Sequence, residues 1–380
     1  MIVWEDESGR PQRTRWQSEN GSPPPRRIVL ADDTMKADTA FRLASEGTGL
    51  LWRGDYQNAR QLLQAIARRI DKRAGERGAR KPRQASSAAD VFHFHRQAQA
   101  QRARTLGMVL IPVNDGYIVP LRRAPDIREA CEEAYGACLG DFVVSLREIL
   151  GLIGAHEWRR KGIEIPALNG RIHPWYGVFS PVRGEYLQLL AEAPLPSDRL
   201  AFDIGTGTGV IAAMLSRRGV QRVIATDQDP RALACARENV QALQLADKVE
   251  IVEADLFPPG TAPLIVCNPP WIPARPNAAI EYAIYDPDSR MLRGFLNGLA
   301  AHLEPSGEGW LIMSDFAEHL GLRPREELLQ MIAAAGLRVI ARTDTRPVHP
   351  RVMDESDPLH HARAAEVTSL WRLAAATSPV

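Results

Sequence analysis

The spacing of apolar positions changes several times along this chain. Over the first thirty-odd residues Ser, Gly, Pro and Arg mix with almost no periodic apolar positions, ending in Pro23-Pro24-Pro25-Arg26-Arg27. Residues 1–35 are therefore expected to be a disordered lead-in. From residue 39 to 70, Leu43, Leu50, Leu51, Leu62, Leu63, Ile66 and Ile70 recur at helical intervals, interrupted by Gly47, Gly49 and Gly54. This spacing predicts two amphipathic helices. Residues 73–89, rich in Arg, Gly, Ala and Ser, read as a flexible basic linker. Two short apolar runs at 108–113 and 117–121 flank Asn114-Asp115-Gly116, a hairpin signal with glycine where a positive φ is needed. Helical patterns follow over 126–161. Residues 36–165 thus form a small mixed α/β domain, expected to be an accessory or substrate-recognition module.

From Arg199 onward short apolar runs alternate with helical stretches. Leu200 to Ile204 leads into Gly205-Thr206-Gly207-Thr208-Gly209 and a helix from Val210 to Arg218. Further strands are expected at 222–227, 249–254, 264–267, 309–313 and 337–341, with a helix over 230–243 opened by Pro230. Near-continuous apolar strands separated by helices predict a mostly parallel sheet covered on both faces. Residues 367–373 are expected to return as one antiparallel edge strand. This second domain is placed at 166–380.

Composition sharpens the class. At 380 residues, with 45% hydrophobic and 24% charged residues, the chain exceeds a single core. No run is apolar and long enough for a membrane helix, and the first residues lack a signal-peptide pattern, so a cytoplasmic location and no membrane partner are expected. Cys131, Cys138, Cys235 and Cys267 have no metal-knuckle spacing and are read as reduced. His93 and His95 flank Phe94, and on a strand they would share a face as metal ligands do; without Cys or acidic companions no metal site is assigned. The net charge of +1 hides one basic segment over 60–83. There Arg60, Arg68, Arg69, Lys72, Arg73, Arg77, Arg80, Lys81 and Arg83 stand against Asp71 and Glu76, a local +7 that leaves −6 for the rest. A nucleic-acid grip, RNA included, is open only there, and such a charge run is more often just a solvated linker.

Three signals carry chemistry. The glycine turn after the first strand of the series lets the backbone pass under a ligand and offers helix N–H groups at its positive end. Its G-x-G-x-G spacing differs from the G-x-G-x-x-G of dinucleotide sites. Three acids then close three strands: Asp203 before the turn, Asp227 where a carboxylate can accept from ribose hydroxyls, and Asp255 where it can meet an exocyclic amine. Finally Cys267-Asn268-Pro269-Pro270-Trp271 ends a strand with a turn stiffened by two prolines. The Asn268 side chain and the Pro269 carbonyl are two acceptors suited to an NH₂ group, and Trp271 offers a face for a planar group. Further on, Asp286-Pro287-Asp288-Ser289-Arg290 reads equally as part of an acceptor pocket or as a surface loop.

These residues resemble the class I S-adenosylmethionine-dependent methyltransferases, in the Asn-Pro-Pro-aromatic subgroup that includes release-factor glutamine methyltransferases and nucleobase amino-methyltransferases. The resemblance covers residues 166–380 and implies a Rossmann-like sheet. It implies that Asp203, Gly205, Thr206, Gly207 and Gly209 hold the methionine part of S-adenosylmethionine, Asp227 the ribose and Asp255 the adenine. Asn268, Pro269, Pro270 and Trp271 would orient the accepting nitrogen, with Asn268 also beside the cofactor. Phe179, within Trp175-Tyr176-Gly177-Val178-Phe179-Ser180-Pro181-Val182-Arg183, looks like part of the aromatic segment laid over the cofactor. That segment departs from the Pro-Arg-Pro-Glu-Thr of the glutamine enzymes, so the acceptor stays open between a protein glutamine and an RNA or DNA base. The implied reaction is methyl transfer to a planar nitrogen without metal or separate base. A nicotinamide-dependent oxidoreductase and a non-catalytic scaffold on the same sheet are the alternatives. The oligomeric state is not readable.

Overall fold

The computed structural model describes residues 1–80, 85–181, 184–276, 279–348 and 350–376, divided into two compact units. One comprises Met1–Ser86 and His93–Glu157, the other Ser87–Phe92 and Trp158–Val380. The chain passes between them at 157/158, several residues before the boundary expected at 165/166.

The N-terminal unit carries a six-stranded mixed sheet. Its strands are β1 (Ile2–Glu5), β2 (Pro11–Trp16), β3 (Arg27–Ala31), β4 (Thr48–Trp52), β5 (Val109–Val113) and β6 (Phe142–Ser145), in the order β1-β2-β6-β5-β4-β3. Its helices are α1 (Ala37–Ser45), α2 (Tyr56–Arg80), α3 (Ala88–Leu106), α4 (Arg128–Tyr135) and α5 (Leu146–Lys161), of which α3 and α5 each also contribute residues to the second unit.

Several expectations are corrected here. The lead-in 1–35 is not disordered: it supplies β1, β2 and β3, and β2 joins the sheet through Arg15 opposite Phe142 and Trp16 opposite Val143. Between the two helices expected over 39–70 runs a strand, β4, whose five residues are all buried. The segment expected as a linker continues α2 as far as Arg80, because Arg, Lys, Ala and Glu favour helix; Lys81 and Arg83 lie outside the described residues. The Asn114-Asp115-Gly116 turn has its positive φ at Gly116, 72°, but only a single bridge, Asn114 to Ile118, follows it. His93 and His95 lie on α3, where a two-residue interval points them to different faces. The helical stretch over 126–161 is broken by β6.

The second unit opens with a hairpin of β7 (Ile163–Ile165) and β8 (Gly170–Ile172), then α6 (Glu185–Glu192). A seven-stranded sheet follows: β9 (Leu200–Ile204), α7 (Val210–Arg217), β10 (Arg222–Asp227), α8 (Pro230–Ala242), β11 (Val249–Glu253), β12 (Ala262–Cys267), α9 (Arg290–His302), β13 (Leu303–Ser314), short α10 (Phe316–His319), α11 (Arg325–Ala334), β14 (Leu337–Thr345), α12 (His360–Ala365) and β15 (Thr368–Ala375). Strand order is β11-β10-β9-β12-β13-β15-β14. One strand, β15, runs antiparallel, as expected; it is inserted between β13 and β14 rather than standing at the edge.

Successive residues of each strand serve opposite faces, which is why the strands read as unbroken apolar runs. Ala201, Leu264, Val266, Trp310 and Ile312 pack with α6 and α7. Their alternates Phe202, Ile204, Ile265, Cys267 and Leu311 pack with α9 and α11. Burying both faces leaves the carboxyl edge of the central strands as the place where polar groups gather.

Candidate functional site

Register aligns the ends of the central strands. Ile204 pairs with Thr226 on one side and Cys267 on the other, and Asp227 pairs with Glu253. Gly205, Asp227 and Asn268 therefore leave three adjacent strands at one level, where open α/β sheets take ligands.

The glycine turn is built on positive φ at Gly205 (71°), Gly207 (55°) and Gly209 (79°). A Cβ on Gly205 would stand 2.4 Å from the Met291 methyl, whereas one on Gly207 would meet nothing within 4 Å. The space above the middle of the turn is open, as a ligand passing over the backbone requires. Asp203 is fully buried; its Oδ2 accepts from Thr206 Oγ1 at 2.6 Å and from the Ala212 N–H at 3.0 Å. The turn thus hangs on this carboxylate. Its Oδ1 is buried with no partner. Burial pushes the pKa of Asp203 up to about 7, and the nearby charge of Asp227 adds to the rise.

Asp227 ends β10 half-buried. Its Oδ2 accepts from the Gly207 N–H and its Oδ1 from the Asp229 N–H, each at 3.0 Å, so it faces the glycine turn. Burial raises its pKa. Asp229 caps α8, accepting from the Arg231 N–H at 2.9 Å. Asp255 lies on the same edge, exposed, two residues beyond the end of β11.

Asn268 follows β12 directly, and Trp271 Nε1 donates to its Oδ1 at 3.0 Å. The indole thereby fixes which way the carboxamide faces. Trp271 packs where three apolar clusters meet. The segment before α6 docks beside α8: Val178 and Trp175 pack on Ala232 and Cys235, Trp175 Nε1 donates to Glu238 at 2.7 Å, and the Arg231 guanidinium lies over Tyr176 at 5.8 Å. Phe179 is half-buried next to them; Val182 and Arg183 lie outside the described residues.

Two buried polar residues near the turn carry weight that sequence patterns do not assign. Asp286 is 5% exposed and accepts from the Met291 and Leu292 N–H groups at 3.0 and 3.1 Å, tying down the first turn of α9, whose Met291 touches Gly205. Arg323, 3% exposed, donates to the Trp271 carbonyl at 3.3 Å. Asp286 carries the better clue in the sequence, a Pro-Asp-Ser run ahead of a helix; a lone Arg after Leu322 carries none.

Three residues of the basic segment are engaged within its own unit. Arg69 pairs with Asp38 at 2.6 Å, Lys72 with Glu76 at 4.0 Å, and Arg73 lies over the Phe41 ring at 4.5 Å. Among the described residues there is no cluster of three metal-ligating side chains, and no helix is long and apolar enough to cross a membrane.

Part of the chain is similar to known proteins. Residues 171–330 match the methyltransferase small domain family. A release factor glutamine methyltransferase of Cereibacter sphaeroides is 35% identical over 36% of this chain and 51% of its own length. Its counterpart in Mycolicibacterium smegmatis is 37% identical over 31% of this chain and 44% of its length. A tRNA1(Val) (adenine(37)-N6)-methyltransferase of Shewanella loihica is 26% identical over 43% and 69%. The chain spans about half the length of the release-factor relatives. With its parallel sheet, glycine turn and Asn-Pro-Pro-Trp strand end, the C-terminal unit, of which residues 171–330 match the methyltransferase small domain, resembles the class I S-adenosylmethionine-dependent methyltransferases.

Proposed function

We propose that this protein transfers a methyl group from S-adenosylmethionine to a planar amide or amino nitrogen. The observation that carries this reading is the level alignment of the glycine turn, Asp227 and Asn268 across three adjacent strands. The residues fit the cofactor on three counts: the open space over Gly207, the unpartnered Oδ1 of Asp203, and a half-buried Asp227 carboxylate that retains lone pairs for hydroxyl donors.

In this reading Gly205, Thr206, Gly207 and Gly209 form the floor under the methionine part, and Asp203 offers its bare oxygen to a cationic group. Asp227 accepts from the ribose hydroxyls, Asp255 meets the adenine, and Phe179 with its neighbours covers it. When bound, the cofactor supplies a methyl group on a sulfonium, a leaving group good enough that the protein's task is positioning. Asn268 Oδ1 and the Pro269 carbonyl accept the two hydrogens of the substrate NH₂. That draws the nitrogen lone pair out of conjugation and aims it at the methyl group. Pro269 and Pro270 hold these acceptors still, and Trp271 orients the carboxamide through its indole N–H while offering a face to the planar group.

The partner is a macromolecule, either a protein glutamine or a nucleobase in RNA or DNA. Relatives named for release-factor glutamine and for tRNA adenine both support the planar-nitrogen chemistry. Pairing of Arg69 with Asp38 and of Lys72 with Glu76 offsets two of that segment's nine charges, which leaves nucleic acid open as the partner. A cytoplasmic setting suits either substrate.

The test is transfer of labelled methyl from S-adenosylmethionine into an extract of undermethylated cells, followed by separate protease and nuclease digestion. Label released by protease identifies a protein acceptor and label released by nuclease a nucleobase. No incorporation with any extract would leave a non-catalytic scaffold.

A further inference from the structure

A cavity of about 390 Å³ opens beside the Asn-Pro-Pro-Trp turn, with Pro273, Ser289, Arg293, Arg323 and Glu327 in its wall. It includes none of the glycine-turn residues. Its charge balance is incomplete. Arg293 is neutralised by Glu327 at 3.0 Å and also donates to the Asp288 carbonyl at 3.2 Å. Arg323 makes no such pair: 3% exposed, it has no carboxylate within ion-pair distance among the described residues, the carboxylates of Glu327, Glu318 and Asp286 act on it only from farther off, and burial lowers its pKa. Its donors find only Ser289 Oγ at 3.4 Å, the Trp271 carbonyl at 3.3 Å and the Met313 sulfur at 3.3 Å, and its Nε has no partner. Charge-assisted bonds run shorter, about 2.7–2.9 Å. A buried guanidinium left this way is costly unless something completes it. The adjoining wall is strained as well, since Asp288 and Ser289 hold consecutive left-handed φ values of 57° and 53°.

We propose that this cavity binds a side-chain or terminal carboxylate of a polypeptide acceptor, held by Arg323 next to the methyl-accepting turn. The inference rests on the methyltransferase reading only in calling that polypeptide the acceptor. Because Nε is enclosed, a carboxylate would be met end-on by the two terminal amino groups, whose present contacts are long and whose planar spacing matches the two oxygens of a carboxylate. A buried guanidinium with no carboxylate in contact is completed by one. A phosphodiester strand would bring several negative charges past Asp288 and Glu327, more than one guanidinium offsets, whereas a single carboxylate meets Arg323 one to one.

The test uses the full chain and four probes at constant ionic strength: sodium acetate, inorganic phosphate, and the blocked dipeptides acetyl-Glu-Gln-amide and acetyl-Gln-Gln-amide, with binding followed by NMR. Acetate is expected to bind saturably and phosphate not to compete with it. The Glu dipeptide is expected to bind at least about tenfold more tightly than the Gln dipeptide. In Arg323→Met, which keeps the volume and removes the charge, that preference disappears. Arg323→Lys, which keeps the charge without the fork, serves if the Met variant does not fold, and weakens acetate binding. Phosphate binding in place of acetate, no saturable acetate binding to the unaltered protein, or an undiminished preference in the variants would each overturn the proposal. The dissociation constant of S-adenosylmethionine, measured on the same samples, reads the cofactor site independently. Its failure would refute the methyltransferase reading while leaving the carboxylate site standing.

Discussion

Asp203→Asn isolates the cost of a charge buried under the glycine turn. In the folded protein burial raises the pKa of Asp203 from the ordinary 3.8 to about 7. Between those values the folded state keeps a proton that the unfolded chain has released, so stability falls as pH rises. The contribution is fully present below about pH 4 and is lost by about pH 7; at 1.36 kcal/mol per pH unit it amounts to about 4 kcal/mol. The substituted carboxamide carries no charge at any pH and can still accept through one oxygen from the Thr206 hydroxyl and the Ala212 N–H. Denaturant unfolding of both proteins, from about pH 4.5 to 8 without cofactor, is expected to show the variant gaining on the parent steadily up to pH 7, by an amount on the order of that figure. Parallel stability curves, or a parent that gains on the variant as pH rises, would refute the assignment of a charge-intolerant carboxylate at this position.

Three further outcomes follow from the same geometry. Asp227→Ala removes the carboxylate that faces the Gly207 N–H, and the dissociation constant of S-adenosylmethionine should rise roughly 10- to 100-fold by calorimetry, the worth of one or two charge-assisted hydrogen bonds; an unaltered constant would sink the ribose assignment. Gly205→Ala and Gly207→Ala both impose a left-handed φ costing about 1–2 kcal/mol, but only the first drives a Cβ into Met291, so its unfolding midpoint should fall further. Trp271→Phe keeps a ring and removes the donor to Asn268, which should lower kcat about fivefold with little change in cofactor affinity, as expected for one hydrogen bond of about 1 kcal/mol.

The elements at the carboxyl edge of the sheet were legible because their signals are local. A glycine run that needs positive φ, a Pro at the first position of α8, and strands apolar on both faces each announce themselves within a few residues. The lead-in was not legible, since β2 reads Pro-Gln-Arg-Thr-Arg-Trp, two-sided and polar, and finds its place by pairing with β6 some 127 residues away, as Arg15 with Phe142. Patterning cannot see a strand whose stability lies in a distant partner. The insertion of β15 between β13 and β14 escaped for the same reason: orientation can be guessed from chain order, but neighbour choice depends on the whole sheet. Arg323 was missed because polarity in a sequence argues for exposure, and only the folded chain shows a guanidinium enclosed by Trp271, Ser289 and Met313.

The most direct measurement compares the unaltered protein with Asn268→Ala, following labelled methyl transfer to the substrate fraction identified by digestion alongside the equilibrium dissociation constant of S-adenosylmethionine. Turnover is expected to fall by about 100-fold or more, the scale seen when one positioned transition-state hydrogen bond is removed, while the dissociation constant stays within about threefold. Equal loss of both, or transfer that survives the substitution, would contradict the role of the Asn-Pro-Pro-Trp turn in presenting the accepting nitrogen.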